Sequence, residues 1–421
     1  MSAPTRGLGA LLRTPRLRTL EPEGHERHAT WFELFFDLVF VVAVAQLAHE
    51  LEADASARGF LRFAFLFAPI WWAWVLYTFY ADRFDTDDLA YRLLGMLGML
   101  AVVAMGVNLP GAMLPTGEAA ADAPFAMAYL AARGVTVLLY ARAARYEPLA
   151  RRLLRIHGGS WAVAAVLWLS ALLVPAPERY GLWTAALVGE ILVTPGIVRR
   201  TLGRVPVSVS HLPERFGLFT IIVLGESVVA VASGLGDVGW GVRSTLVAAA
   251  AFAIACCVWW LHFDFLDATP LRRHFAIRQV YVYGHFPIVV GLTAVGAGAL
   301  LAIEHAADDH LEAGARWALC GGLALYLAAI AGINLAAMEG RLRHLPRFGP
   351  IAGVIAVALG LAAFGGGLPP VLLVAFLLAA FAGMVARKVA WTATTAPVLA
   401  PATRPATASL RHDEAPEPSR P

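Results

Sequence analysis

Lysine occurs once in this 421-residue chain, at Lys388, beside 32 arginines, and charged residues of every kind make up only 15%. The 33 basic and 30 acidic side chains leave a net charge of +3, too small an excess for the phosphate-neutralising surface of a nucleic-acid-binding protein. Cysteine is almost as scarce. Cys256, Cys257 and Cys320 all fall in apolar stretches, so there is neither a disulfide framework nor a spaced zinc pattern, and the three read as reduced packing residues. No nucleophile elbow, zinc-protease or phosphate-loop motif stands where its chemistry would need it. The connections between apolar stretches are too short for a soluble catalytic domain, and no cofactor is expected. The basic first thirty residues lack a short apolar core followed by a cleavage site, so no secretory signal is read.

What the chain has in abundance is apolar surface. Hydrophobic residues are 59% of the whole and the mean hydropathy is +0.66, more than a soluble domain of this length needs. The 12 Trp and 22 Phe suit lipid-facing helices with interfacial aromatics. Apolar stretches cover residues 31–50, 60–80, 90–110, 124–141, 159–175, 180–198, 216–234, 244–263, 279–303, 315–337, 348–364 and 370–386. Most are near the roughly twenty residues that cross a hydrocarbon core. The last two are short and joined by Gly365-Gly-Gly-Leu-Pro-Pro370, a tight turn with proline at the next helix start. Twelve spans are therefore expected, or ten if that final hairpin does not cross.

The basic residues test this count. With the N-terminus inside, the inner segments hold 24 of them, and the outer segments hold five: Arg58, Arg62, Arg179, Arg243 and Arg316. That asymmetry is what the positive-inside rule asks for. The expectation is an all-α, polytopic transmembrane helix bundle in a lipid bilayer with both termini cytoplasmic. Residues 1–27 read as a basic tail, and residues 392–421, rich in Pro, Ala and Thr, as a disordered one.

Twelve helices invite a search for two sixes. Val41-Val-Ala-Val-Ala45 recurs as Val228-Val-Ala-Val-Ala232, 187 positions later, and Trp71-Trp72 as Trp259-Trp260, 188 later. Tyr91 opens the third span and Tyr281 the ninth, 190 later. An even number of spans per half gives both halves one orientation, a parallel 6+6 repeat of residues 28–200 and 201–391. Such folds place their site between the halves, near the midplane.

Polar residues inside the spans supply the candidate site. Glu226 lies in the run Phe219-Thr-Ile-Ile-Val-Leu-Gly-Glu-Ser-Val-Val-Ala-Val-Ala232, close to the expected midplane. A carboxylate there costs about 2.5–3.5 kcal/mol unless paired, protonated or facing water, which suggests an ion or proton pathway. A neutral Glu226 bonded to a neighbouring helix is the bland alternative. Glu33 and Asp37, four apart in the first span, share a helix face, and in a low dielectric one should hold a proton or meet a cation. Asp37 lies about 9 Å beyond Trp31. Alternatively Glu33 caps the first turn and Asp37 pairs with an arginine reaching in from an inner loop. Gln46 and His49 continue the polar stripe outward.

Glu190 in the sixth span precedes Pro195, which should free a backbone carbonyl and kink the helix; a polar pocket and hydrogen-bonded packing are equally open there. His262, Asp264 and Asp267 close the eighth span at ligand-like spacing, although a solvated ion-pair cluster with Arg272 and Arg273 explains them better than a metal. His285 enters the ninth span and is a candidate proton relay.

The segment Trp31-Phe-Glu-Leu-Phe-Phe-Asp-Leu-Val-Phe40, with Gln46-Leu47 after it, and the segment Glu214-Arg-Phe-Gly-Leu-Phe-Thr-Ile-Ile-Val-Leu-Gly-Glu-Ser227 strongly resemble the bacterial low temperature requirement A family. The resemblance covers essentially all spans. It implies a multi-pass protein of the bacterial cytoplasmic membrane associated with growth in the cold, and it implies no biochemical activity. Its motifs fall here on His28, Trp31, Glu33, Asp37, Glu214, Arg215, Glu226 and Ser227. Phe36-Asp37 followed by Val39-Phe40 also looks like the Phe-Ser-Asp motif of lysosomal-type potassium channels, which carry six-plus-six helices, but Phe36 stands where that motif has serine.

The leading expectation is a secondary transporter of an ion or small molecule, coupled to protons or cations through Glu226, Asp37 and Glu190. A cation channel whose oligomer brings Glu33 and Asp37 around a pore is the second reading. A membrane-embedded enzyme or scaffold of lipid metabolism is the third. Single-channel currents would favour the channel, and product formation the enzyme.

Overall fold

The computed structural model describes residues 13–18, 28–85, 87–113, 119–202, 208, 210–266, 268, 271, 275–338 and 348–395. Twelve segments among them are long and apolar enough to cross a membrane, including both arms of the final hairpin, Gly349–Gly367 and Pro370–Ala390. The first five are α1 (Trp31–Ala53), α2 (Ala57–Arg83), α3 (Leu89–Val107), α4 (Ala119–Ala143) and α5 (Pro148–Ala171). The sixth is composite: α6 (Glu178–Val188), a π-helical turn Gly189–Val193, and α7 (Thr194–Leu202). Then come α8 (His211–Val238), α9 (Val242–Phe265) and α10 (Phe275–Glu304). The tenth is again composite, α11 (Ala313–Arg316), a π-turn Trp317–Gly321 and α12 (Gly322–Ala337), before α13 (Gly349–Phe364) and α14 (Pro370–Thr395).

Helix starts follow local chemistry. Thr30 closes a capping box with Glu33 at the head of α1, Ser56 caps α2 and Asp88 caps α3. Proline opens α5, which begins at Pro148 and not near residue 159, so Arg151, Arg152 and Arg155 belong to the helix and not to a loop. Their long stems let the guanidinium groups reach the interface while the backbone stays helical. Likewise α8 begins at His211, so Arg215, which the hydropathy pattern leaves in the inner loop, lies within the span.

The neighbour order is similar in the two sequence halves. In the first, α1 packs on α2 and α3, α3 on α4, α4 on α5, and α5 on α6. In the second, α8 packs on α9 and α10, α10 on α12, α12 on α13, and α13 on α14. The halves meet where α1 lies on α8 and α10 and α2 touches α8 and α10. The paired tryptophans do not share an environment, however. Trp71 and Trp72 are each 2% exposed, whereas Trp259 and Trp260 are 49% and 43% exposed.

Close helix approach is carried by glycine. A Cβ on Gly298 of α10 would stand 2.3 Å from the Leu319 amide nitrogen, and one on Gly291 2.6 Å from the Gly322 carbonyl oxygen. Without water to drive association, such backbone contact is what holds membrane helices together.

Part of the basic N-terminal segment is anchored. β1 (Arg16–Leu17) pairs antiparallel with β2 (Phe84–Asp85), Arg16 opposite Asp85 and Leu17 opposite Phe84. The Arg13 amide donates to Asp88 at 2.8 Å and the Leu17 amide to Glu147 at 3.2 Å. These contacts tie the segment over the α2–α3 and α4–α5 connections.

Candidate functional site

Three helices each bring a pair of polar residues four apart, hence on one face, to a common buried point: Glu33 and Asp37 on α1, Thr78 and Asp82 on α2, His211 and Arg215 on α8. The capping box orients the first acid. Glu33 Oε2 accepts from the Thr30 amide at 2.8 Å, leaving Oε1 3.4 Å from His211 Nε2 and 3.5 Å from Arg215 Nη1. One turn deeper, Asp37 Oδ1 accepts from Arg215 Nη2 at 2.6 Å and from the Trp74 indole at 2.7 Å. Arg215 Nη2 also reaches Thr78 Oγ1 at 3.4 Å. His211 Nδ1 lies 3.1 Å from Asp82 Oδ1, and Asp82 Oδ2 accepts from the Ser208 amide at 3.1 Å.

The exposures are 2% for Glu33, 1% for Asp37 and 0% for Arg215. Among the described residues three carboxylates thus face one guanidinium and one imidazole. Asp37 Oδ2 has no hydrogen-bond partner among the described residues. Burying carboxylates is costly unless they are paired, protonated or bound to a cation. Both structural alternatives for the first span are realised at once: Glu33 caps the helix, and Asp37 pairs with an arginine, although one inside α8 and not on a loop.

Above this cluster the α1–α8 seam is closed by rings. Phe40 meets Phe219 edge-on at 6.0 Å, and Trp74 packs on Phe219 at 4.4 Å and on Phe216 at 4.9 Å. Glu226 lies eleven residues beyond Arg215, about 16 Å along α8 and back on nearly the same face. It is half-buried and has no ion-pair partner among the described residues. Glu52 of α1, paired with His49 at 3.5 Å, is within electrostatic reach of both Glu226 and Glu304. Ser227 is buried against Gly296, its hydroxyl without a partner among the described residues. Gln46 is half-buried and His49 exposed. His28 and Trp31 stand outside the cluster. His28 is 3.6 Å from Glu214, which also accepts from the Ala29 amide at 3.0 Å, so Glu214 fastens the chain before α1 to the start of α8.

Glu190 belongs to a separate network. Arg133 of α4 donates to its Oε1 from Nη2 at 2.7 Å and from Nε at 3.0 Å, and the Tyr129 hydroxyl donates to its Oε2. The carboxylate projects from the π-turn, and the expected freed carbonyl is present four residues before Pro195. There Ile191 accepts from the Tyr283 hydroxyl of α10 at 2.5 Å, while the Gly189 carbonyl accepts from Thr194 at 2.8 Å. One acid meets one guanidinium, so this buried pair is internally balanced.

His285 Nδ1 donates to the Tyr281 carbonyl at 2.7 Å, since that oxygen can only accept. Its ring packs on Phe216 at 4.7 Å and is perpendicular to His262 at 5.9 Å. No hydrogen bond among the described residues joins it to the acid cluster. Among the described residues no group of three or more His, Cys, Asp and Glu side chains could hold a metal ion. His262 is buried and Asp264 exposed, so these two do not converge, while Asp267, Arg272 and Arg273 lie outside the described residues.

Sequence reasoning missed Asp82, His211, Trp74 and Thr78, as well as Arg133 and Tyr129. The signal for Asp82, His211 and Thr78 was the recurrence of polar pairs four apart at three helix ends; Trp74 carried none. For Arg133 it was an arginine deep in an apolar span.

The fold and this cluster together define a polytopic α-helical membrane protein with a charge network buried where α1 and α2 meet α8. The chain belongs to the Bacterial low temperature requirement A protein (LtrA) family, whose profile matches residues 28–390. It is similar to an uncharacterized protein of Rhizobium meliloti (strain 1021), 30% identical over 320 residues, 71% of this chain and 75% of the relative. No solved structure matches it.

Proposed function

We propose that this protein is a secondary transporter coupled to protons or a small cation, with its pathway along the seam between α1 and α8. The observation that carries the proposal is the buried cluster of ionisable groups, Glu33, Asp37 and Asp82 around Arg215 and His211, in which Asp37 Oδ2 has no partner among the described residues. A buried carboxylate that takes up or releases a proton or cation changes its contacts as it does so. Asp37, with one oxygen held by Arg215 and Trp74 and the other open among the described residues, is the coupling acid. Glu226, with Glu52 nearby, serves as the second station across the ring layer of Phe40, Phe219 and Trp74. Opening the halves alternately on either side of that layer would expose one station at a time.

In this reading the chain forms two six-helix halves, residues 28–200 and 201–391, in the bacterial cytoplasmic membrane. The arginine-rich end and both termini face the cytoplasm. Glu190 positions the first half through Arg133 and carries no ion. A pore ringed by Glu33 and Asp37 from several copies has less support, because both acids are buried inside one protomer against its own α8.

The test is flux in proteoliposomes under imposed proton and cation gradients, followed with a pH-sensitive and a potential-sensitive dye. Wild type is expected to dissipate a proton gradient in the presence of its co-ion, and Asp37→Asn to abolish this while eluting as a folded species. Glu226→Gln should impair it as well. Undiminished flux in Asp37→Asn would overturn the assignment of the coupling acid.

A further inference from the structure

A second feature lies on the lipid side of the first half. Between α5 and the sixth crossing runs a groove of about 460 Å³ whose lining includes Arg155, Gly159, Ser160, Gly189, Thr194 and Ile197 and no acidic residue. Two things open it. Gly159 and Gly189 present no side chain, and a Cβ added at either would meet nothing within 4 Å. The π-turn Gly189–Val193 also widens the backbone on one wall and turns the Glu190 side chain away to Arg133. Ser160 Oγ and Thr194 Oγ1, 2.5 Å apart, join the two walls.

That contact sets the antiparallel register. Arg155 is five residues from Ser160 and Arg200 six from Thr194, so they stand about 7.5 and 9 Å nearer the arginine-rich end. Arg200 is seven residues from Val193 and three from Ile197, hence on the face that lines the groove, and Arg152, three before Arg155, follows on the α5 side; all three arginines are exposed. The result is an apolar slot within a membrane span with guanidinium groups at its mouth. Basic pockets between helices at the cytoplasmic boundary are where acidic lipid headgroups bind, and arginine matches phosphate oxygens in a two-pronged fashion.

We propose that this groove is a binding site for an anionic phospholipid of the leaflet on the arginine-rich side, with an acyl chain in the slot and the phosphate between Arg155 and Arg200. The slot selects for an alkyl chain by its apolar walls. Its mouth selects against a zwitterionic headgroup because Arg155 lines it, exposed Arg152 and Arg200 follow on the same faces, and no acidic residue is among the lining. Nothing in this assignment depends on the transport reading.

The experiment is native mass spectrometry of the purified full-length protein in detergent, titrated with dioleoylphosphatidylglycerol or dioleoylphosphatidylcholine. Phosphatidylglycerol is expected to be retained at least about fivefold better than phosphatidylcholine, and Arg155→Gln with Arg200→Gln to lower its retention about fivefold for each guanidinium removed. Gly159→Leu, which fills the slot and keeps the charge, should remove retention of both lipids. Arg387→Gln, at an exposed arginine of α14, should change nothing. Unchanged phosphatidylglycerol retention in the double variant or in Gly159→Leu overturns the site. An equal loss in Arg387→Gln also overturns it, because binding would then follow total charge. If Gly159→Leu does not fold, the surface arginine pair still decides the matter.

Discussion

Replacing Arg215 by glutamine tests whether the buried cluster is one energetic unit. The guanidinium contacts both Glu33 and Asp37, at 3.5 and 2.6 Å. Glutamine removes the charge and strands two carboxylates in the interior, and breaking a buried pair from one side costs about 3–5 kcal/mol. Asp37→Asn alone should cost less, about 1–2 kcal/mol, because the amide oxygen can still accept from Trp74 and Arg215. In the double variant the stranded charge at position 37 is gone, so its cost should fall below the sum of the two by about 2 kcal/mol. The assay is equilibrium unfolding of the purified protein in mixed micelles by sodium dodecyl sulfate, read by tryptophan fluorescence. Trp74 sits on the cluster, and its indole proton is held by Asp37. Additivity of the two substitutions within about 0.5 kcal/mol would refute the reasoning, since it would mean that the contact carries no coupling.

Other consequences follow from the packing. Tyr283→Phe should cost about 1 kcal/mol in the same unfolding assay, because it strips the Ile191 carbonyl of its donor; an unchanged midpoint would show that another donor takes over. Gly298→Ala should destabilise by about 1–3 kcal/mol, since its methyl group would lie 2.3 Å from the Leu319 nitrogen and force α10 away from the tenth crossing. Thermal unfolding at wild-type temperature would dismiss that contact. Arg133→Met should be harmful alone, by about 3–5 kcal/mol, and much of the loss should return in Arg133→Met with Glu190→Met. A double variant no better than the single would mean that the pair is not simply structural.

The bundle was legible in the sequence because bilayer thickness fixes helix length, and length and composition are read directly. The turn Gly365-Gly-Gly-Leu-Pro-Pro370 was enough to place the final hairpin, and both of its arms are long enough to cross. Boundaries failed where arginine sits inside a helix. Residues 151–155 and Arg215 looked like loop because their charge dominates a hydropathy window, yet a long stem can carry charge to an interface or into a salt bridge without ending the helix. Acids were easy to single out, since an isolated carboxylate in an apolar run stands alone. Their partners were not, because which helices touch is a tertiary fact: Asp37 meets Arg215 across 178 positions and Glu190 meets Arg133 across 57. Glu226, the acid most conspicuous in the sequence, lies on the α1–α8 seam but only half-buried, because conspicuousness in a run measures hydropathy and not depth.

The two buried arginines show why burial alone does not mark function. Arg133 meets one carboxylate and a tyrosine hydroxyl, so the network is neutral in a single protonation state and has nothing to gain from another ion. Arg215 instead divides its charge between Glu33 and Asp37, and Asp37 keeps one oxygen without a partner among the described residues. Glu33 could have been any residue able to cap α1, yet its second oxygen is turned toward His211 and Arg215. The open oxygen of a buried acid is a place where a proton or small cation can bind without displacing Arg215 or Trp74. The fully engaged Glu190 carboxylate does not offer one, and that difference is what the proposed coupling uses.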